Sequence, residues 1–187
     1  MIRHPLLLVG QALCGLAMAA VAQSASSRPA PQVEPASFAL ALLGENERAD
    51  GSWKGVDLGA SADPRAQRFQ INLRPATFVR ASLDVVGPDG KMERLFPTFG
   101  KTGLLDANKT YALPGPRAFY QLVGRSRLRL TITSARVHGE PKTSMATFRG
   151  VQRTRTLPLS DGSKVEVVER DFSAAESGSV DIDLNNE

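Results

Sequence analysis

Three arginines on alternate residues, Arg125, Arg127 and Arg129, are the first candidates for ligand chemistry. On an extended strand the side-chain period is two, so all three would stand on one face. Such a stripe suits a polyanion, either an anionic glycan such as lipopolysaccharide or a nucleic acid. No aromatic residue is interleaved with the arginines, and single-stranded nucleic acid is held largely by stacking, so nucleic acid is not expected. A competing partner lies within the chain. Val180–Leu184 carries Asp181 and Asp183 on one strand face, and opposite charges across paired strands contribute about 0.2–1 kcal/mol. Arg149, Arg153 and Arg155 allow the same two readings.

The other chemistry-bearing residues are sparse. His138 sits in a Gly/Pro-bordered stretch with no nucleophile in sight, whereas a general base needs a positioned partner. Asp84, Asp89 and Glu93 crowd one hairpin, but Asp89 belongs to its turn. Trp53 could cap the core or stack on a sugar ring, and Phe99 in a Gly-rich loop could be an exposed contact. Asn108-Lys109-Thr110 has the form of a glycosylation acceptor and reads more simply as a turn. No phosphate-binding Gly loop, nucleophile elbow or Cys/His set occurs. The expectation is a non-catalytic chain without cofactor or metal.

The N-terminus bears on where these residues work. Arg3 and His4 precede an apolar run, Leu6–Ala22, which ends in Ala20-Val21-Ala22 and switches at once to Gln-Ser-Ala-Ser-Ser. That is the pattern of a cleavable signal peptide over residues 1–22. Gly10, Gln11 and Gly15 make the run a poor membrane span, and Leu13 before Cys14 makes a poor lipid-attachment site. Cleavage would remove Cys14, the only cysteine, so no disulfide or thiolate metal site is expected. A periplasmic or extracellular location follows.

Residues 23–36 are rich in Ser, Pro and Ala and predict a disordered linker. Residues 37–187 predict one domain, large enough for its own core. The charge is split along it. Arg117–Arg155 holds nine basic residues and one acidic, while Thr156–Glu187 holds eight acidic and two basic, so the halves are expected to face each other.

Alternation defines the elements that must position these groups. Phe38–Leu43 is a continuous apolar stretch of buried-strand length. Phe69, Ile71 and Leu73 share a face, as do Val79, Ala81, Leu83 and Val85, and again Leu128, Leu130 and Ile132. Gly87-Pro88-Asp89-Gly90 has turn chemistry, since Pro presets φ and Gly supplies a positive φ, so Phe78–Phe96 predicts a hairpin. Pro97 closes it because proline cannot donate to a ladder. Short strands are expected at Thr110–Leu113 and Ala118–Val123, and Ser160-Asp161-Gly162-Ser163 predicts a second turn between strands at Thr147–Thr156 and Lys164–Val168. No segment keeps a helical period. The fold class is therefore all-β, an antiparallel sandwich or partly open barrel of about 8–10 short strands. The Phe78–Phe96 hairpin is expected to be central, with Phe69, Ile71, Val79, Leu83, Val85, Leu95, Leu128, Leu130 and Ile132 in the core.

The Asp89-Gly90 turn running into Leu95-Phe96-Pro97 resembles the bacterial family called domain of unknown function 4384. Tyr111-Ala-Leu-Pro114, Gly124–Ser134 and Arg149-Gly150-Val151 extend the likeness across roughly Asp50–Leu184. Thr98 stands where that family usually has Asn. The resemblance implies an extracytoplasmic bacterial β-domain, often attached to other modules, and no reaction or catalytic residue. The expected function is a non-catalytic interaction module of the cell envelope, meeting another envelope or secreted protein. The alternative is a protein that binds a small ligand, a glycan or an anion. Phe99 on the Thr98–Gly103 loop, Trp53, and Arg125, Arg127 and Arg129 are the candidate binding residues.

Overall fold

Alternation at period two sets the strands, and prolines and glycines end them. The computed structural model describes residues 34–61, 64–87, 89–137 and 139–186. The expected leader, residues 23–33 of the linker, and His138 lie outside the described residues. Folded structure begins slightly earlier than the sequence suggests. Ala36, the last residue of the segment expected to be linker, already opens the first strand and is fully buried.

In chain order the strands are β1 (Ala36–Glu47), β2 (Trp53–Asp57), β3 (Arg68–Pro75), β4 (Val79–Val86), β5 (Met92–Phe96), β6 (Leu104–Leu105) and β7 (Tyr111–Leu113). They continue as β8 (Tyr120–Gln121), β9 (Ser126–Ser134), β10 (Thr143–Met145), β11 (Thr147–Pro158), β12 (Lys164–Ala174) and β13 (Ser177–Leu184). One sheet runs β11-β12-β1-β3-β7, with β2 also on β1 and β8 also on β3. The second runs β10-β13-β9-β4-β5, with β6 also on β4. The two sheets pack into a β-sandwich. Its one parallel pair among the described residues is β10 with β13.

The core between the sheets holds Phe69, Ile71, Leu73, Val79, Leu83, Leu128, Leu130 and Ile132, all at most 2% exposed. Val85 and Leu95 pack against it from partly buried positions. Truncating one of the buried leucines to Ala should cost about 2–5 kcal/mol.

The Phe78–Phe96 hairpin forms, but it is not central. β4 pairs with β9 on one side and β5 on the other, and β5 is the sheet's edge. The residues explain this. β5 exposes Met92, Glu93 and Arg94 and runs into Pro97, which is the composition of an edge strand. Phe78 stays outside the strand and is 46% exposed.

The continuous apolar run in β1 has its own reason. Leu40 and Leu42 face the other sheet, while Ala41 and Leu43 face a second small core with Leu157, Leu159 and Val167. The β11–β12 hairpin thus curls over the outer face of its own sheet. Gly55 makes room for it, because a Cβ there would lie 2.9 Å from both Leu159 and Val165.

The divided charge follows the pairing. Asp181 sits opposite Arg129, and Asp183 opposite Arg127, in the β13–β9 ladder. Arg153 sits opposite Glu169 in the β11–β12 ladder. The basic and acidic halves do face each other.

Candidate functional site

The sandwich is open along one flank, where β5 of one sheet and β7–β8 of the other end without a further strand. Two hollows lie there. The larger, about 560 Å³, is lined by Phe96, Leu104, Leu105, Tyr111, Leu113 and Pro114, with Lys101 at its rim. The smaller, about 430 Å³, reaches core residues Phe69 and Leu128 between walls of Val85, Leu95, Tyr120 and Leu122. Exposed Val123 stands at its mouth. The Tyr120 hydroxyl lies 3.5 Å from the Leu95 carbonyl, at the outer limit of a hydrogen bond, and so spans the gap between the sheets. Burial pushes the Tyr120 phenol up to about 12, so it stays neutral in ordinary conditions.

Phe99 is carried on a turn beside the larger hollow. The Lys101 amide donates to the Thr98 carbonyl (3.1 Å), and Gly100 takes φ +80° at the position where such a turn requires glycine. The base of the loop is held just as firmly. Gly103 accepts from the Ala81 amide at 2.8 Å, and a Cβ on Gly103 would lie 2.5 Å from the Ala81 carbonyl oxygen. A fixed turn therefore places the Phe99 ring wholly in solvent, with no loss of accessible surface (108% relative exposure).

Trp53 lies elsewhere, on β2 at the outer face of the first sheet. The Arg68 guanidinium stacks 3.2 Å from the centre of its ring and 5.2 Å from that of Phe119. Arg68 in turn bonds Glu45 (Nε to Oε2, 2.6 Å) and the Ser160 hydroxyl. Glu45 is fully buried and also accepts from the Ser160 amide at 2.7 Å. Trp53 is thus half-buried and engaged with its own chain. Its neighbours are structural.

No family model matches the chain, and no curated protein or solved structure does either.

The arginine stripe is divided by its neighbours. Asp181 accepts from Arg129 Nε and a terminal guanidinium nitrogen at 2.8 and 2.9 Å, and from Arg127 at 2.8 Å. These bonds, Arg129 first, outweigh burial and hold the Asp181 carboxyl down at about 2. Arg125 precedes β9, is exposed, and makes no ion pair among the described residues. Of the carboxylates on the first hairpin, Asp84 accepts from Arg94 Nε at 2.5 Å and Asp89 from the Lys91 amide at 3.0 Å, so both are occupied. Among the described residues no group of three or more His, Cys, Asp or Glu is placed to hold a metal ion.

Sequence reasoning named Phe99 but missed the hollow beside it. Tyr111–Leu113 and Tyr120–Gln121 fall within the short strands expected over Thr110–Leu113 and Ala118–Val123, but strands of two or three residues do not show which sheet edge they join, and Leu104–Leu105 lies in what reads as a loop. One signal was available: Tyr111, Leu113 and Tyr120 are apolar or aromatic residues among Pro, Gly and Asn, which is unusual for solvent loops.

Proposed function

We propose that this chain is an exported, non-catalytic interaction module of the bacterial cell envelope. It grips another envelope or secreted protein at its open flank, with Phe99 as the anchor. The carrying observation is Phe99 itself. A phenylalanine side chain gains about 1.5–3 kcal/mol from burial, yet this one is held in water by a turn hydrogen bond and a positive-φ glycine. Aromatic anchors beside apolar grooves dominate binding energy in protein interfaces. Rigid β-scaffolds also present function on loops. The signal-like leader and the likeness to domain of unknown function 4384 support the envelope setting.

A photo-crosslinking residue at position 99 tests this in intact cells, with the same residue at exposed Lys91 as control. One discrete adduct from position 99, absent from position 91, is expected. Equal adducts from both positions, or none from 99, would refute it.

A second reading has its own observation: the smaller hollow reaches core residues. A small apolar ligand could enter there beside Tyr120. It would quench or shift tyrosine emission while leaving the position-99 adduct intact.

A further inference from the structure

On the face of the sandwich formed by the outer side of the first sheet, four guanidiniums surround two carboxylates. Arg74 Nη2 donates to Glu169 at 2.8 Å and Arg155 Nη1 to its other oxygen at 2.7 Å. Arg153 lies 3.6 Å from Glu169 and bonds Asp171 directly. Arg149 makes no ion pair or side-chain hydrogen bond among the described residues. Four positive charges against two negative leave an excess of two.

The strand rows explain how this cluster comes to surround a space. In one row Arg74, Ala39 and Asp171 are neighbours on β3, β1 and β12. Ala39 and Ser37 are small, so the middle of the row is a floor while the long arginines rise at its sides. β11 then departs from regular pairing. Phe148 pairs with Phe172 but Gln152 with Arg170, so four steps on β11 match two on β12. Gly150, at φ +75°, lies in this bulge. A bulge re-aims side chains, and here both Arg149 and Arg153 line the same cavity. It has about 110 Å³, with Ser37 and Arg74 opposite them and Asp171 on its wall.

We propose that this cavity is a binding site for a phosphate monoester dianion. Two negative charges would cancel the excess of two positive. Guanidiniums present paired donors that match phosphate oxygens, the Ser37 hydroxyl supplies a neutral donor, and the volume admits one such group. Asp171 does not oppose the ligand freely, because Arg153 already holds it. The cavity shares no lining residue with the hollow beside Phe99, and its test is independent of that reading.

The same chemistry could come from free phosphate or from a lipid headgroup. Titration of the full chain with inorganic phosphate, against chloride at equal ionic strength, should give saturable one-site heat. Arg149→Gln should weaken it about tenfold, and since Arg149 has no ion-pair partner among the described residues its loss should leave the fold intact. Arg125→Gln, on the other sheet, removes the same charge and should change affinity less than twofold. Vesicles of phosphatidic acid and of phosphatidylglycerol identify the source. Capture by phosphatidic acid alone assigns a lipid phosphomonoester, and binding of soluble phosphate without vesicle capture assigns a free one. Either upholds the site. Heat no greater than with chloride, equal losses in the two variants, or equal capture by both vesicles would overturn it.

Discussion

Replacing Asp181 by Asn should remove a defined, pH-dependent part of the stability. The side chain keeps its size and one acceptor oxygen but loses the charge that draws Arg127 and Arg129 together. The folded carboxyl sits at about 2 against an ordinary 3.8. Each unit is worth about 1.36 kcal/mol, so the shift corresponds to at most about 2.4 kcal/mol. The carboxylate is well covered, at 16% exposure, but the guanidiniums of Arg127 and Arg129 are 53% and 38% exposed. Solvent screening at those ends reduces the expectation to about 1–1.5 kcal/mol. The sign follows from the direction of the shift. A depressed carboxyl stabilises the folded state above pH 3.8, and that contribution disappears as pH falls through 2. Urea unfolding followed by Trp53, the single tryptophan, provides the assay for wild type and variant at pH 7, 5, 4 and 2.5. The gap should hold between pH 7 and 5, stay nearly whole at 4, and fall to about a third of its neutral value at 2.5. Added salt should narrow it at pH 7. A gap undiminished at pH 2.5 would mean that Asp181 contributes shape rather than charge, which would refute the electrostatic account.

Three further outcomes are expected. Glu45→Ala should cost about 3–5 kcal/mol in the same unfolding assay, because it strands the largely buried Arg68 and frees the Ser160 amide. Gly103→Ala should lower stability by about 2 kcal/mol or more, since the backbone is at φ +66° and the new Cβ meets the Ala81 carbonyl; a neutral result would show that the loop base is not fixed. Alkaline titration of phenolate absorbance should contain a component with its midpoint at about 12 from Tyr120. Tyr120→Phe should remove that component.

The long strands were legible because each buries one face, which imprints a period of two on the sequence. β3, β4, β9 and β13 are of this kind, and their core faces are the expected ones. β1 was readable as a buried strand from its unbroken apolar run, but its reason was not. The second face is covered by a hairpin more than a hundred residues later, and nothing local announces that. The placement of β5 was missed because a hairpin fixes which strands are neighbours and leaves open which of them continues the sheet. That decision rests on whether another long strand can pair with the outer edge, and exposed Met92, Glu93 and Arg94 ahead of Pro97 do not offer one. Of the candidate site, Phe99 was legible as an aromatic among turn residues. The groove beside it was not: short strands at Thr110–Leu113 and Ala118–Val123 were readable, but two or three residues carry no period to say which sheet edge each joins.

The charge pattern shows how far one reading can carry two outcomes. The basic and acidic segments of the sequence look equally like a ligand site and like two strands that pair. Register decides between them locally. On the β9 stripe, Asp181 lies directly across the ladder from Arg129 and accepts from both it and Arg127, so attraction is spent within the fold and little remains for a ligand. On β11 the same pairing starts, with Arg153 opposite Glu169, but two additional residues in the strand carry Arg149 past any available acid. Arg74 adds a further guanidinium from β3, across two strands. The carboxylates are then outnumbered, over a floor of Ser37 and Ala39 too small to fill the space. A regular ladder after Phe148–Phe172 would have set Arg149 directly opposite Asp171, so the bulge is what leaves the Arg149 guanidinium without an acid across the ladder and turned to the cavity. Deleting Gly150 and Val151 would restore matched register. If the proposed assignment is right, phosphate binding should be lost while the β11–β12 hairpin and overall stability are kept. Persistence of binding in that deletion would show that the arginines alone suffice and that the bulge is incidental.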